Sequence, residues 1–385
     1  MYVKLFQYSS VAGLYIHIPF CKSRCSYCDF HSGVQLTLLD RFEDALCTEL
    51  TSRVSYLKND PLETIYFGGG TPSLLSTEHL SAIFESIQSH WDISSCNEIT
   101  LEANPDDLSE EQLKELSELP INRLSIGIQS FNDNELKLLR RRHTAQQAVD
   151  AVKRAQKYFS NISIDLMYGL PEQTISSWEN TISEALALNI QHVSAYHLTY
   201  EEGTLLERKR REGRILPVLE EESVTMYRLL QRKLKEKGIE QYEISNFAIP
   251  GFHSRHNSSY WEGIRYLGIG PSAHSFDGES RQWNIANTLQ YITGIEQGTP
   301  HFEKEVLSET DKYNEMIMIS LRTTNGISLE RVEKEFGTNT KKELIKQSAR
   351  FIDAGIMLLE KNRLHLSSEG LFLSDGIITD LMQEQ

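Results

Sequence analysis

The sequence lacks two features that would commit it to a membrane or to nucleic acid. No apolar run approaches the roughly 20 residues that a membrane-spanning helix needs, and the first twelve residues, MYVKLFQYSSVA, are too short and too polar for a secretory signal. Basic residues are in deficit, with 39 Lys and Arg against 54 Asp and Glu and a net charge of −15. Because positive charge drives binding to a phosphate backbone, this balance argues against nucleic acid as a partner. We therefore expect a globular protein of the cytoplasm.

Cysteine is scarce and unevenly distributed. Five occur in 385 residues, and Cys21, Cys25 and Cys28 fall within eight positions. In a reducing compartment, such clustering indicates a metal or catalytic site rather than disulfides. Iron–sulfur clusters of the [4Fe-4S] type usually take four thiolates, so three on one loop would hold a cluster and leave one iron open to another ligand. The alternatives are a zinc knuckle that lacks its fourth ligand, or three incidental cysteines. Cys47 and Cys96 stand alone and are expected to be packing residues.

Short apolar runs alternate with helical patterns through the first half of the chain. Each gap between the predicted strands contains a helix, and capping patterns at Ser109, Thr144 and Ser176 mark helix starts. The six predicted strands are 14–18, 63–67, 98–102, 123–128, 161–166 and 192–198. Gaps of this length predict parallel pairing through right-handed crossovers. The expected fold class is α/β, a (β/α)6 partial barrel of the TIM type, with its chemistry at the carboxyl ends of the strands.

Small and polar residues follow several of these strands. A glycine run, 68–70, comes directly after the second strand and would let a ligand approach the backbone closely. It lacks the lysine of a phosphate-binding loop, and alone it indicates only a tight turn. Glu102, Gln129, Arg141 and Asp165 offer donors and acceptors suited to ribose hydroxyls and a carboxylate. Each of them taken singly would more often be a structural or solvated group.

Eight segments together resemble one family. The chain is similar to the radical S-adenosylmethionine (SAM) superfamily, and within it to the branch that contains the oxygen-independent coproporphyrinogen III oxidases and related heme chaperones. The segments are YIHIPFCKSRCSYCDF, YFGGGTPSLL, EANP, RLSIGIQSF, IDLMYGLPEQT, EISNFA, HNSSYW and GIGPSAHS. The resemblance implies a [4Fe-4S] cluster on Cys21, Cys25 and Cys28, with SAM bound to the open iron.

The resemblance also implies which residues contact SAM. SAM on the cluster would meet Tyr15, Gly69 and Glu102, with Tyr27 beside its adenine. A further set matches positions that the oxidases use for a second SAM molecule: Gly70, Thr71, Gln129, Arg141, Asp165 and Thr199. The presence of these residues does not establish that two SAM molecules bind.

Two departures from the oxidase pattern favour the chaperones. The oxidases carry a further cysteine two residues after the third cluster cysteine, where this chain has Phe30, and they have an N-terminal extension, whereas Cys21 here follows only 20 residues. The HNSSYW stretch, 256–261, is typical of the chaperones. Imidazole is a common axial ligand of heme iron, so His256 is a candidate heme contact. The alternative is that His256 and Asn257 cap a loop while Tyr260 and Trp261 fill a core.

The expected function is therefore a heme chaperone that delivers heme to heme-accepting respiratory proteins. The alternative is an enzyme that decarboxylates coproporphyrinogen III through a 5'-deoxyadenosyl radical. Contact with a membrane surface and a homodimer are open alternatives to a free monomer. The basic run Arg208–Arg211 could touch propionates or lipid headgroups, but its interleaved glutamates favour a solvated helix.

The sequence also predicts how the chain divides. We expect a radical SAM core at 1–215, a barrel-completing region with the HNSSYW element at 216–300, and a smaller, mostly helical, winged-helix-like domain at 301–385. A predicted hairpin at 357–366 supports the last assignment. That region holds eleven basic and fifteen acidic residues, a net charge of −4, which disfavours DNA.

Overall fold

The computed structural model describes residues 11–58 and 60–384. The expectation about a secretory signal concerns residues 1–12, so it lies almost entirely outside the described residues. Among the residues described, no helix combines the length and the apolar character needed to span a bilayer.

Six parallel strands form the centre of the molecule, as predicted. They pair in chain order, each beside the next. Their bounds are β1 (Ala12–Ile18), β2 (Leu62–Gly69), β3 (Glu98–Ala103), β4 (Arg123–Gln129), β5 (Ile162–Tyr168) and β6 (His192–His197). Almost every residue of these strands is buried, the pattern of a parallel sheet that is covered on both faces. The carboxyl ends of the six strands therefore meet at one edge.

The sheet extends beyond these six strands on both sides. β9 pairs parallel to β1, and β8 pairs antiparallel to β6. The added strands are β7 (Glu240–Gln241), β8 (Asn246–Ala248), β9 (Tyr266–Ile269), β10 (His274–Phe276), β11 (Ser280–Asn284) and β12 (Phe302–Val306). The spatial order is β12-β11-β10-β9-β1-β2-β3-β4-β5-β6-β8-β7, an open twelve-stranded mixed sheet. The partial barrel is thus confirmed as an open sheet, and its additional strands were not predicted.

Amphipathic helices cover the sheet. Their bounds are α1 (Leu39–Ser52), α2 (Thr77–Gln88), α3 (Glu110–Glu118), α4 (Asp133–Leu138), α5 (Ala145–Ala155), α6 (Ile175–Ala187), α7 (Leu205–Arg211), α8 (Glu220–Lys235), α9 (Arg255–Glu262) and α10 (Thr288–Glu296). Ser109 and Thr144 cap α3 and α5 as predicted. The cap predicted at Ser176 is wrong. Thr174 is the cap, because its side chain accepts the hydrogen bond from the Ser177 amide, and α6 begins at the next residue, Ile175.

The C-terminal part has its own hydrophobic core. It consists of α11 (Glu309–Leu321), β13 (Ile327–Ser328), α12 (Leu329–Asp353), β14 (Met357–Glu360), β15 (Arg363–Leu366) and α13 (Ser374–Leu381). The predicted hairpin is present, because β14 and β15 pair across Lys361 and Asn362, both at positive φ. α12 is interrupted at Gly337, where φ is 88° and ψ is 164°, a region that glycine adopts readily. β12 belongs to the large sheet, so the second core begins after the predicted division at 300/301, and the three-part division stays a prediction.

Candidate metal and cofactor site

The three clustered cysteines lie on a loop that leaves the carboxyl end of β1. Backbone hydrogen bonds close its neck, from the Cys21 amide to the Gly33 carbonyl and from the Gly33 amide to the Pro19 carbonyl, both at 2.8 Å. Ser26 anchors its middle, since its buried hydroxyl donates to the Leu138 carbonyl at 2.8 Å. The loop is therefore fixed at both its neck and its centre.

The thiols of Cys21, Cys25 and Cys28 are free, partly buried, and line a single cavity of about 830 Å³. Within the described part of the chain, no three His, Cys, Asp or Glu side chains converge closely enough to hold a single metal ion. A four-iron cluster is wider than one ion, so its thiolates lie farther apart. Three thiols on one loop are a donor set that an iron–sulfur cluster takes.

Neighbouring donors point at two of these sulfurs. The Thr71 hydroxyl donates to the Cys21 sulfur and the Arg141 guanidinium donates to the Cys25 sulfur, both at 3.4 Å. Burial raises the pKa of Cys28 to about 11 and also raises the pKa of Cys21. These thiols therefore keep their protons at neutral pH, and a metal centre that binds there would displace the protons.

The glycine run brings the end of β2 against the cysteine loop. Gly69 has a φ of 105°, and a Cβ there would lie 2.6 Å from the His17 ring. A Cβ on Gly70 would lie 2.6 Å from the Phe20 carbonyl oxygen. These glycines therefore permit close packing of protein on protein, and the Gly69 amide donates to the Glu102 carboxylate at 3.2 Å.

Glu102 lies at the carboxyl end of β3 and lines the same cavity. Its Oε1 accepts a hydrogen bond from the Tyr66 hydroxyl at 2.8 Å. Burial raises the pKa of Glu102 to about 7, a shift that the Tyr66 hydrogen bond partly offsets. The group is thus balanced between its acid and its carboxylate near neutral pH.

Arg141 reaches the cavity from the segment after β4. Its guanidinium donates to the Asn104 side chain and to the Gly127 carbonyl, and its buried Nε has no hydrogen-bond partner among the described residues. The Asn104 amide in turn donates to the Thr71 hydroxyl at 3.0 Å. The sequence did not single out Asn104, although it directly follows β3 in the EANP segment. It links the glycine run to the cysteine loop.

The first cavity gathers most of the predicted site residues. Besides the three cysteines, its lining includes Tyr27, Gly69, Gly70, Thr71, Glu102, Gln129, Arg141, Asp165 and Thr199. Tyr15 is not among the lining residues, and neither is His256. The rest of the lining was not predicted. It comes from the end of β6, from α8 and from the C-terminal part of the chain, with Tyr196, His197, Tyr227, Arg322 and Phe372.

His256 lies in the core, with 0% of its surface exposed. Its Nδ1 shares a hydrogen bond with the Thr64 hydroxyl and its Nε2 shares one with the Tyr260 hydroxyl, each at 2.8 Å. Burial and the positive Arg123 lower the pKa of His256 to about 3. The cap of α9 is Ser254 rather than His256 or Asn257. Ligation of iron by His256 would require the loss of one of these hydrogen bonds.

A second cavity, of about 750 Å³, adjoins the HNSSYW helix. Tyr260 and Trp261 line it together with Tyr15, and the C-terminal helices α11 and α12 form another wall. Phe30, 64% exposed, borders both this cavity and the first one. Phe30, on the cysteine loop, is therefore a lining residue that the two cavities share.

Two of the four basic residues in the run on α7, Arg210 and Arg211, are ion-paired, and so is Arg214 just beyond it. Glu207 pairs with Arg210 at 2.7 Å and with Arg211 at 3.5 Å, and Glu212 pairs with Arg214 at 3.1 Å. This agrees with the expected solvated helix.

Comparisons with known proteins agree with this geometry. Residues 15–185 match the model of the radical SAM superfamily, and residues 307–373 match that of the HemN C-terminal domain. The heme chaperone HemW of Bacillus subtilis is 35% identical over 96% of this chain and 99% of its own. HemW of Lactococcus lactis is 34% identical over 94% of this chain and 95% of its own.

One solved structure resembles the whole fold. Coproporphyrinogen III oxidase (HemN) from Escherichia coli superposes with a TM-score of 0.84, covering 98% of this chain and 92% of the oxidase, at 21% identity. At that identity the likeness shows the fold alone, whereas the full-length similarity to the chaperones shows the family. The chain belongs to the HemW family of radical SAM proteins.

Proposed function

We propose that this chain is a heme chaperone that binds heme and passes it to heme-accepting respiratory proteins. The observation that carries the proposal is the pair of cavities that meet at Phe30. The first offers residues that suit a cluster and SAM, and the second offers an aromatic-lined space of a size common for small-molecule sites. A protein that only decarboxylates a porphyrinogen would need one combined site.

Cys21, Cys25 and Cys28 would hold a [4Fe-4S] cluster, which supplies an open iron for SAM and an electron for its reductive cleavage. Glu102 would accept hydrogen bonds from a ribose of the bound SAM, and Arg141 would pair with a carboxylate. Tyr27, partly buried on the cysteine loop, would pack beside the adenine. The residues that would serve a second SAM line the same cavity: Gly70, Thr71, Gln129, Arg141, Asp165 and Thr199.

Heme binding is tested by titrating hemin into the purified chain, with and without its cluster. We expect saturable binding with a defined Soret band in both states, because the second cavity contains none of the three cysteines. Heme affinity no better than that of an unrelated acidic protein would contradict the chaperone function.

A second candidate is the decarboxylation of coproporphyrinogen III. It is favoured by the extent of the first cavity, which continues from the cysteines to Arg322 and Phe372 and leaves room beside SAM. Anaerobic incubation with coproporphyrinogen III, SAM and a reductant, followed by product analysis, separates the two. The chaperone function predicts no protoporphyrinogen product.

We further propose a cytoplasmic location with transient contact at a membrane surface, where respiratory acceptors reside. A homodimer is the alternative to a monomer, and sedimentation of the cluster-loaded protein with and without heme distinguishes them. Co-sedimentation with vesicles of anionic lipid tests the membrane contact.

A further inference from the structure

Two histidines among the described residues line the second cavity, His17 and His274. His17 is buried, and its ring nitrogens are engaged by the Tyr15 hydroxyl at 3.1 Å and by the His31 carbonyl at 2.9 Å. His274, on β10, is exposed. Across residues 11–58 and 60–384, neither of its ring nitrogens makes a hydrogen bond. His274 is therefore the histidine of this cavity whose ring nitrogens are available to coordinate a metal ion.

We infer that heme binds in the second cavity and that the imidazole of His274, rather than that of His256, is the axial ligand of its iron. This inference rests on the proposed heme binding and identifies the ligand. It differs from the expectation for the HNSSYW element, whose histidine is enclosed by two hydrogen bonds.

The setting of His274 suits a metal ligand. Its ring stacks on Trp283 with centroids 5.8 Å apart and an angle of 24° between the planes, which fixes the orientation of the imidazole. Imidazole is the commonest side-chain ligand of metal ions in proteins.

The walls of the cavity suit a large aromatic macrocycle. Tyr260 and Tyr266 meet edge to face at 4.7 Å, and Trp261, Phe276 and Phe336 complete an aromatic surface. Trp261 lines the cavity, and its buried Nε1 has no hydrogen-bond partner among the described residues. Aromatic side chains of this kind stack on planar ligands.

Three cations border the cavity and could meet two propionates. Arg281 pairs with Glu315 at 2.5 Å, Lys312 with Glu279 at 2.7 Å, and Arg331 with Glu335 at 3.0 Å. Each cation already has a carboxylate partner. A heme propionate would therefore share the cation with that carboxylate rather than neutralise a free charge. This reduces the electrostatic hold on heme and suits a cargo that is later released.

The experiment compares the full-length wild-type chain with the variants His274→Ala, His256→Ala and His197→Ala. His197 lines the first cavity and serves as a control. Each is titrated with hemin and examined by absorption and magnetic circular dichroism. We expect the His274 variant alone to lose the imidazole-ligated signature. Loss of groups that merely support a metal ligand costs roughly 10- to 100-fold in metal affinity, so heme affinity should fall at least about tenfold.

Added imidazole should restore the signature in His274→Ala, because the cavity would still accept the macrocycle and a free ligand. A purely structural role of His274 would not produce this rescue. His274→Gln keeps side-chain volume without the ligand and serves if the alanine variant unfolds.

The outcomes separate the two proposals. Retention of the imidazole signature by folded His274 variants, with its loss in the His256 or His197 variant, overturns the assignment of His274 and leaves heme binding intact. Heme bound to the wild-type chain without imidazole ligation overturns it as well. No saturable heme binding by the wild-type chain contradicts the proposed function itself.

Discussion

Replacement of Glu102 by glutamine should weaken SAM binding and remove most of its pH dependence. Because burial raises the pKa of this carboxyl to about 7, the carboxylate that a ribose hydroxyl prefers is only fractionally present below neutrality. The apparent dissociation constant scales inversely with that fraction, so it should rise roughly tenfold between about pH 8 and about pH 6 in the wild-type chain.

The loss of SAM affinity in Glu102→Gln at high pH can also be estimated. A hydrogen bond to a charged group contributes about 1.5–3 kcal/mol, so Glu102→Gln should bind SAM roughly tenfold to a hundredfold more weakly near pH 8. Calorimetry on the cluster-loaded protein under anaerobic conditions measures both quantities. Ionisation of SAM itself affects both proteins equally.

Glu243→Gln provides a matched control. Burial raises the pKa of Glu243 to about 7 as well, but its side chain does not line the first cavity. This variant should bind SAM as the wild-type chain does at every pH. Parallel pH profiles for the wild-type chain and Glu102→Gln would refute the placement of Glu102 against SAM.

Three further predictions test the cluster, the core and a helix cap. Cys25→Ser should abolish most of the iron absorbance of the reconstituted protein, whereas Cys47→Ser and Cys96→Ser should leave it unchanged; a requirement for Cys47 or Cys96 would contradict the three-ligand assignment. His256→Ala should lower the free energy of unfolding by about 2–4 kcal/mol in urea titrations, because it leaves the Thr64 and Tyr260 hydroxyls without their partner. A change under about 0.5 kcal/mol would mean that these hydrogen bonds contribute little to stability. Thr174→Ala should cost about 1 kcal/mol through loss of the α6 cap, while Ser176→Ala should cost less than about 0.5 kcal/mol; equal effects would place the cap elsewhere.

The six parallel strands could be predicted because each contains a short cluster of apolar residues and is separated from the next by a segment with a helical pattern. The strands β9 to β12 could not, since each has five residues or fewer and their burial patterns range from fully buried in β9 to fully exposed in β12. Pairing of β9 with β1 joins residues more than 250 positions apart, and no local pattern specifies such a partner. Only the register of the assembled sheet determines that contact.

The cysteines and the strand-end residues were predictable for a related reason. Parallel pairing brings every strand end to one edge, so Glu102, Gln129 and Asp165 had to lie near the cysteine loop. Arg322 and Phe372 line the same cavity from the C-terminal part of the chain, and Phe372 packs against the main core. Nothing in their own segments indicates which surface of the sheet they meet, and they were missed.

His256 shows why a motif alone does not separate a ligand from a core residue. Histidine and tyrosine four residues apart on a helix share one face, and that spacing serves a heme contact or an internal hydrogen bond equally well. The contact that distinguishes the two roles is made by Thr64, which lies on β2, 192 residues away in the sequence. Its hydroxyl shares a hydrogen bond with the other ring nitrogen of His256. Burial of both nitrogens follows from how α9 docks on the sheet.

Phe30 connects the two halves of the proposed function. It follows Cys28 by two residues and borders both cavities, so the cysteine loop and the second cavity share one boundary, an exposed phenyl ring. A cysteine at this position would offer a further thiol to the cluster, whereas phenylalanine offers only apolar surface. If Cys28 holds the cluster as proposed, only two peptide bonds would separate a cluster ligand from the wall of the second cavity. Heme held beside this ring would thus be sensitive to whether the cluster and SAM are in place.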